Sequence, residues 1–343
     1  MARRLGILVS LLAVLAAAGW GAFLWLQKDY ERWQATPLAV LGDRVLYEIR
    51  PGMSVRAVAE DLQARGYLSQ PLYFRLLAYR SALAGKLKSG EYAIEPGLTP
   101  LSLLERFAAG RTVEYSITLV EGWTFAQVRA ALEQHPVLIN TFKGLDDAAV
   151  MRRLGHPGEH PEGRFFPDTY RIKKGGTDAE VLSRAYDRMN KLLNEYWSAR
   201  AADLPYHAPY EALIMASLIE KETAVPEERP LIAAVFLHRL RVGMKLQTDP
   251  AVIYGLGPAY DGNLHKRDLE TDTPYNTYTR AGLPPSPIAM PGRKSIEAAL
   301  HPAPSGALYF VARGDGSHQF SNTLEEHNRA VARYQLSQKN ASP

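Results

Sequence analysis

A glutamate near the end of a short apolar segment has the surroundings that suit an acid catalyst. Residues 212–225 predict a helix, and Pro226 places its end within a residue or two, so that Glu222 lies in the last turn. Three apolar residues precede Glu222 by 7, 4 and 3 positions and would share its helical face: Met215, Leu218 and Ile219. Partial burial and the helix dipole both raise the pKa of such a carboxyl, as a general acid near neutral pH requires. The alternative is that Glu220 and Glu222 are two solvated glutamates at a fraying helix end.

Two irregular segments further along the chain carry polar and aromatic side chains that suit the binding of sugar hydroxyls. Loop amides, hydroxyls and carboxylates beside aromatic rings are the usual groups at such sites. The candidates are Gln247, Thr248 and Asp249 in the first segment, and Tyr275, Asn276, Thr277 and Tyr278 in the second. Each set has a structural alternative: Asp249 caps a helix that begins at Pro250, and the tyrosines pin the second loop to the core.

Other catalytic chemistries have little support in the sequence. The chain has no cysteine, which excludes thiolate nucleophiles and cysteine-based metal sites. Its nine histidines are dispersed, and neither a His-Glu-x-x-His nor a Gly-x-Ser-x-Gly pattern occurs. The net charge of +4 comes from scattered basic residues, which argues against nucleic acid as a partner. We therefore expect no metal site and no cofactor.

The N-terminal segment predicts a single membrane-spanning helix. Residues 5–26 form an uncharged run of 22 residues, which as a helix extends about 33 Å and crosses a hydrocarbon core of about 30 Å. Arg3 and Arg4 precede the run, whereas the charges after it are balanced, so the positive-inside rule places residues 1–4 in the cytoplasm. A cleaved signal peptide is the alternative, but the run exceeds the roughly 7 to 15 residues of a signal core.

A short pattern occurs three times in the first part of the chain and predicts three strand-turn-helix units. Each copy is Gly-x-[Ser/Thr] followed by apolar residues at fixed offsets, with glycine for the turn and the hydroxyl for the helix cap: residues 52–54, 97–99 and 122–124. The strands precede the pattern at residues 44–49, 91–94 and 115–120. With a further helix near residues 72–83, the first part reads strand-helix-helix-strand. This order resembles the LysM-type module that holds N-acetylglucosamine polymers, and the alternative is a unit that only orients the next domain.

The rest of the chain predicts a larger mixed α+β domain. Thr177-Asp-Ala-Glu180 is a capping box before a helix that runs to about residue 200. Further helices are expected at residues 230–240, 294–300 and 324–336, with a hairpin between residues 308–311 and 318–321. Aromatic residues surround Asp168, either as part of a cleft or as a core turn in which Asp168 caps the local backbone.

Several motifs in sequence order resemble the endolytic murein transglycosylase family, also called MltG or YceG-like. They are ASLIEKETAV at 216–225, RLRVGMKLQTDP at 239–250, VIYG at 252–255, YNTY at 275–278 and GLPP at 282–285. The resemblance implies a membrane-anchored lyase that cuts nascent peptidoglycan strands within the chain, limits their length and leaves 1,6-anhydro-N-acetylmuramic acid ends. The catalytic glutamate of the family, the second Glu of Glu-Lys-Glu-Thr, falls on Glu222. Tyr254, in the third motif, joins the predicted substrate-binding residues.

The resemblance also implies a location, partners and a domain organisation. The chain would pass once through the cell inner membrane with its catalytic domain in the periplasm, and would accompany peptidoglycan synthases. The predicted fold class is α+β, in five segments: a cytoplasmic N-terminus (1–4), a transmembrane helix (5–26), a stalk (27–43), a LysM-like subdomain (44–110) and a catalytic domain (111–343).

A single acid suits this reaction, whereas a hydrolase needs a second carboxylate about 5 to 9.5 Å from the first. In the lyase scheme Glu222 protonates the glycosidic oxygen and then takes the proton from the muramic 6-hydroxyl, which attacks C1 of the same sugar. Two alternatives stay open. One is a hydrolase that pairs Glu222 with Asp249 or Asp168, and the other is a non-enzymatic peptidoglycan-binding scaffold in which Glu222 is structural.

Overall fold

A computed structural model of the chain describes residues 2–40 and 42–336. It divides into two compact units, Met1–Tyr115 and Ser116–Pro343, and the sequence places a similar division after residue 110. Both units combine helices with small two-stranded sheets, which confirms the predicted mixture of α and β structure. Met1 and the side chains of Arg3 and Arg4, on which the predicted orientation depends, lie outside the described part of the molecule.

The first helix, α1 (Ala2–Ala35), has 34 residues and contains the predicted apolar run. Its residues from Ser10 to Lys28 are exposed, among them bulky apolar side chains such as Trp20 and Trp25, each 65% accessible. Among the described residues it is the one helix long and apolar enough to cross a membrane. The helix is therefore consistent with a membrane anchor.

The body of the first unit has the predicted strand-helix-helix-strand order followed by one more helix. Its elements are β1 (Val45–Ile49), α2 (Val55–Ala64), α3 (Pro71–Arg80), β2 (Gly90–Ile94) and α4 (Pro100–Ala109). The two strands are antiparallel, with Tyr47 opposite Tyr92, and both tyrosines are fully buried. Ser54 and Thr99 cap the helices that follow them, as the repeated pattern predicts.

The structure differs from the prediction of a stalk at residues 27–43. The helix α1 continues to Ala35, and Tyr30, Trp33 and Leu38 belong to the hydrophobic core of the first unit. The mixed composition of this segment suggested a stalk, but its three large apolar side chains are buried in that core. The folded body thus begins directly after the apolar run.

The second unit contains nine helices and two strand pairs among its described residues. In chain order they are β3 (Tyr115–Thr118), α5 (Phe125–Glu133), α6 (Asp147–Arg153), β4 (Thr169–Ile172), α7 (Asp178–Ser198), α8 (Pro209–Glu222), α9 (Arg229–Arg241), α10 (Asp249–Leu256), α11 (Lys266–Glu270), α12 (Arg293–Leu300), β5 (Tyr309–Ala312), β6 (His318–Ser321) and α13 (Leu324–Val331). Strands β3 and β4 form one pair, and β5 and β6 form an antiparallel hairpin. Short turns of other helical types follow at Pro226–Glu228, Gly257–Ala259 and Ala332–Leu336.

The helix α8 is the centre of the second unit. It packs against α7, α9, α10 and α12, and all of its residues from Ala212 to Ile219 are buried. The predicted apolar face of Met215, Leu218 and Ile219 is buried, and the other faces of the helix are buried over the same residues. Its end is as predicted: the last helical residue is Glu222, and Thr223 is extended.

A buried serine connects α8 to the segment that precedes α12. The Ser217 hydroxyl donates to the Ile214 carbonyl (2.7 Å) and accepts the Ile288 amide (3.0 Å). Because Ser217→Ala leaves that buried amide without a partner, we expect the free energy of unfolding to fall by about 1 to 3 kcal/mol. Thermal unfolding of the full chain in detergent measures this loss. Ser198→Ala is the matched control, since the exposed Ser198 hydroxyl also donates to a helical carbonyl and its removal should change little.

Candidate active site

The carboxyl of Glu222 lies at the end of α8, where the buried helix reaches a cavity. It is half-buried, and the Thr248 hydroxyl donates a hydrogen bond to it at 2.8 Å. Burial raises the pKa of Glu222 to about 7, with a further contribution from the charge of Asp249. The Thr248 hydrogen bond and the positive groups of His318 and Arg239 act in the opposite direction. A carboxyl with this pKa can both donate and accept a proton near neutral pH.

Backbone contacts hold Thr248 in place. The buried Arg239 guanidinium donates to the carbonyls of Leu246 and Leu308, each at 2.7 Å. The Thr248 amide donates to the Thr277 hydroxyl (3.0 Å), which in turn donates to the Thr248 carbonyl (3.2 Å). The two predicted binding segments thus meet at Thr248, directly beside Glu222.

Three of the predicted binding residues present exposed or half-buried polar atoms at this junction. Gln247 is exposed and adopts a left-handed backbone conformation (φ 51°), which costs free energy for a residue other than glycine. Asp249 is also exposed and accepts the Tyr278 hydroxyl at 2.6 Å. Asp249 is the first residue of α10 and not its cap, because Thr248 occupies the cap position. All three residues reach the surface, and none of them is among the residues that line the cavity at Glu222.

The side chains of Asn276 and Thr277 point into the protein. Asn276 is fully buried, and its amide group accepts the Tyr278 backbone N–H (2.9 Å). The same side chain donates to three backbone carbonyls, those of Asp268 (3.1 Å), Leu269 (3.1 Å) and Thr271 (2.7 Å). Both residues therefore fix the shape of the loop that carries Tyr278.

The cavity at Glu222 is lined by residues that the sequence analysis does not include. The cavity has a volume of about 500 Å³, and the loop between β3 and α5 lines it with Glu121, Gly122 and Trp123. Trp123 occupies the variable position of the third Gly-x-[Ser/Thr] pattern, where the first two copies have methionine and leucine. The tryptophan in the third copy could have identified this loop as part of the site, since an aromatic ring near a carboxyl suits the binding of a sugar.

Glu220 is held by an ion pair in the same cavity. Its carboxylate accepts the Arg229 guanidinium (3.0 Å) and the Gly292 amide (2.9 Å), and its side chain is 5% exposed. This arrangement contradicts the alternative of two solvated glutamates. Glu121 lies close by, and burial together with the charge of Glu220 raises its pKa. A side chain at position 292 would meet the Glu121 carboxyl and displace it.

A second cavity of about 820 Å³ adjoins the first, and Gln127 and Lys221 line both. At its base the buried Glu162 accepts the Tyr254 hydroxyl (3.0 Å) and the Phe125 amide (2.9 Å). Burial raises the pKa of Glu162 to about 7. The rings of Tyr254 and Tyr275, both predicted to bind substrate, meet edge to face with centroids 4.9 Å apart.

The sequence analysis does not identify Glu162 as a residue of the cleft, and considers Asp168, six residues further on, in its place. Asp168 pairs with Arg188 and accepts the backbone amide of Thr169, and it lines neither cavity. Its alternative as a turn residue is therefore confirmed. A charged residue directly before the aromatic run at 163–170 was the signal for Glu162. In the described part of the chain, no three acidic or histidine side chains are grouped so as to hold a metal ion.

A hydrogen-bond network also fixes the residue that follows Glu222. The Thr223 hydroxyl donates to Glu228 (3.2 Å), and Glu228 accepts the backbone amide of His318 (2.7 Å). The Nδ1 atom of His318 lies 2.7 Å from the same carboxylate. The hairpin of β5 and β6 is thereby joined to the end of α8.

Comparison with known proteins identifies the family. Residues 47–333 match the sequence profile of the YceG-like family. The chain belongs to this family. A protein of Bacillus subtilis named endolytic murein transglycosylase is 34% identical over 311 residues, which cover 85% of each chain. A Streptococcus pneumoniae protein of the same name is 29% identical, and the match covers 85% of this chain but 58% of that protein.

A solved structure supports the same assignment. The crystal structure of a yceG-like protein from Listeria monocytogenes superimposes with a TM-score of 0.55 at 30% identity, over 84% of this chain and 98% of that one. In this YceG-like chain, the motifs at 216–225, 239–250 and 275–278 come together around Glu222 through the contacts of Thr248. The motifs that resemble the family and the contacts seen in the structure thus both identify the surroundings of Glu222 as the candidate site.

The Thr248 hydrogen bond predicts a measurable change in the titration of Glu222. Because this bond stabilises the carboxylate, Thr248→Val should raise the pKa of Glu222 above its value of about 7, by up to about one unit. Carbon-13 NMR of labelled glutamate carboxyls, assigned with Glu222→Gln, follows the titration. Thr279→Val should leave it unchanged, since the Thr279 hydroxyl bonds to Asp272 instead. An unshifted or lowered pKa in Thr248→Val would contradict the assigned hydrogen bond.

Proposed function

We propose that this chain is an endolytic murein transglycosylase in which Glu222 is the single acid and base. The observation that carries the proposal is the half-buried Glu222 carboxyl, with a pKa of about 7, at the edge of an open cavity. The name of the Bacillus subtilis relative supports the reaction and the substrate, which is peptidoglycan. Cleavage within a strand also requires an open site, as the two adjoining cavities provide.

The reaction proceeds without water as a reactant. Protonated Glu222 donates its proton to the glycosidic oxygen between N-acetylmuramic acid and N-acetylglucosamine, and the bond from C1 to that oxygen breaks. The 6-hydroxyl of the same muramic residue attacks C1 and gives its proton to the Glu222 carboxylate. Glu222 returns to its starting state, one product carries a 1,6-anhydro end, and the other carries a free 4-hydroxyl. Because the first step needs the protonated acid, activity falls as the pH rises through about 7.

The predicted binding residues divide into two groups in this scheme. Gln247, Asp249 and Tyr278 contact the glycan beside Glu222, because their polar groups reach the surface at the junction of the two loops. Thr248, Asn276 and Thr277 position those residues and the acid, since the protein already uses their hydrogen-bonding groups. The sequence predicts that Asn276 and Thr277 contact the sugar directly. In this scheme they position the residues that do so.

The glycan strand continues from the first cavity into the second. Gln127 and Lys221 border both cavities, so a strand bound at Glu222 passes over them to reach the aromatic pair of Tyr254 and Tyr275. Aromatic rings provide apolar surface for the flat side of a pyranose, while the neighbouring polar groups bind its edge. This placement gives the substrate contacts on both sides of the broken bond.

The remaining elements anchor and orient the enzyme. We place α1 across the cell inner membrane with residues 1–4 in the cytoplasm and the second unit in the periplasm. The strand-helix-helix-strand order of the first unit supports its likeness to a LysM-type module, and hence a role in holding glycan. Peptidoglycan synthases supply the nascent strands and are the proposed protein partners.

The assignment of the acid predicts the behaviour of Glu222→Gln. General acid and base catalysis contributes about 100- to 10,000-fold to rate, so this variant should release soluble muropeptides at least about 100-fold more slowly. Glu195→Gln, on the exposed surface of α7, should retain full activity. Release of muropeptides by Glu222→Gln at the normal rate would disprove the assignment.

Hydrolysis is the second candidate, because Glu121 brings another carboxyl into the cavity of Glu222. Mass spectrometry of the products separates the two reactions, since an anhydro end is lighter by one water than a reducing end. We expect anhydro products with the unaltered chain. Reducing ends that disappear in Glu121→Gln would establish hydrolysis, and no product from the unaltered chain would support the scaffold alternative.

The second cavity predicts an effect on substrate affinity. Tyr275→Ala should raise KM for long strands about 5-fold and leave kcat nearly unchanged, because the lost aromatic surface contributes about 1 kcal/mol away from the reacting atoms. Tyr275→Phe loses only the bond between the Tyr275 and Ser286 hydroxyls and should keep the normal KM. A loss confined to kcat in Tyr275→Ala would place this ring at the chemical step instead.

A further inference from the structure

The helix α3 carries an apolar stripe on its exposed side. Leu72, Leu76 and Tyr79 are 69%, 46% and 66% exposed, and their spacing of four and three residues places them on one side of the helix. The opposite side of α3 faces the core of the first unit through Phe74, Leu77 and Ala78, which are buried. A folded domain rarely leaves such a row of large apolar side chains in water without a partner.

This stripe lies beside the part of α1 that leaves the apolar run. The Tyr73 hydroxyl donates to Asp29 at 2.9 Å, and the Tyr73 ring meets the rings of Tyr30 and Trp33 with centroids 5.5 and 5.6 Å away. The Arg80 guanidinium lies 5.5 Å from the centre of the Tyr30 ring. Two residues of α3 therefore contact the first turns of α1 beyond its exposed segment.

The depth of these contacts follows from helix geometry. Asp29 is three residues beyond the last apolar residue, Leu26, which is a distance of about 5 Å along the axis. The headgroup layer on each side of the hydrocarbon core is about 5 to 7 Å thick. If α1 crosses a bilayer at residues 5–26, Tyr73 and the neighbouring stripe lie at the level of the lipid headgroups.

The segment that contains α3 carries a positive charge that suits an anionic lipid surface. Residues 66–90 contain four basic residues, Arg75, Arg80, Lys86 and Lys88, and no aspartate or glutamate. A short helix with large apolar side chains and basic neighbours is the pattern of segments that lie in the plane of the membrane interface. Each basic residue near such a surface contributes about 1 kcal/mol.

We propose that α3 lies in the headgroup layer of the bilayer that α1 crosses, with Leu72, Leu76 and Tyr79 among the lipids and the basic residues on anionic phospholipid headgroups. This contact rests on the anchor role of α1 and is independent of the chemistry at Glu222. The first unit is then attached to the membrane by two helices, because α1 crosses the bilayer and α3 lies along its surface. The rotation of this unit about α1 is thereby restricted.

The absence of cysteine allows a direct test by single-site labelling. Leu76→Cys in the full chain is labelled with an environment-sensitive fluorophore and reconstituted in vesicles of equal parts phosphatidylethanolamine and phosphatidylglycerol. Gln63→Cys, exposed on α2 of the same unit, is the matched control. We expect headgroup-labelled nitroxide lipid to quench the label at position 76 at least about twofold more than the label at position 63, with a blue shift for position 76 only.

Equal quenching at the two positions overturns the proposal, provided that both proteins float with the vesicles after alkaline carbonate treatment. Chains that do not float lack the anchor itself, which is a separate failure. A blue shift at position 76 that appears in detergent and grows with protein concentration also overturns it, because a second copy of the chain then covers the stripe. Replacing phosphatidylglycerol by phosphatidylcholine should weaken the quenching, and an unchanged signal would contradict the role of the basic residues.

Discussion

The candidate site depends on one constraint, which is that a helix with a fully buried middle ends at Glu222. Buried residues from Ala212 to Ile219 fix the direction of α8, so the position of its last residue has little freedom. The chain then becomes extended at Thr223 and turns at Pro226–Glu228, which leaves the end of the helix open to a cavity. A carboxyl at such an end loses much of its hydration and faces the negative end of the helix dipole. The raised pKa is therefore a consequence of the architecture of α8.

Side-chain hydrogen bonds to the backbone bring the loops to this helix end. The loops around Thr248 and Asn276 belong to no sheet, and their carbonyls would otherwise lack partners in the protein interior. Arg239 donates to the Leu246 carbonyl of the first loop and to the Leu308 carbonyl before β5. Asn276 donates to three carbonyls at the end of α11 and directly after it, so a few buried polar residues replace the pairing that a strand would provide. Buried polar groups of this kind define a single arrangement because every alternative leaves one of them unsatisfied.

Patterns among neighbouring residues predicted most of the helices and strands. The arrangement of the site could not be predicted, because it depends on contacts between residues far apart in the sequence. The caps at Ser54 and Thr177, the end of α8 and the hairpin near the C-terminus depend on neighbouring residues, and the structure has all of them. The junction of Glu222 with Thr248 spans 26 residues, and that of Glu162 with Tyr254 spans 92, so no periodic pattern reveals either. Burial of α8 on all sides does have a local signal, because residues 212–219 contain no charged side chain on any face of the helix, as is typical of a buried helix.

The same desolvation that prepares Glu222 for proton transfer makes its ionised form unfavourable for the fold. Its pKa in the folded protein is about 7, above the ordinary glutamate value of 4.5, and burial raises the pKa of Glu162 to about 7 as well. A raised pKa contributes stability that is complete below the ordinary value and is lost as the pH rises through about 7. The second unit therefore holds two acids, the half-buried Glu222 and the buried Glu162, that favour folding when neutral. The protonated form of Glu222 begins the reaction and is also the form that stabilises the fold, so stability and catalysis both favour a protonated Glu222.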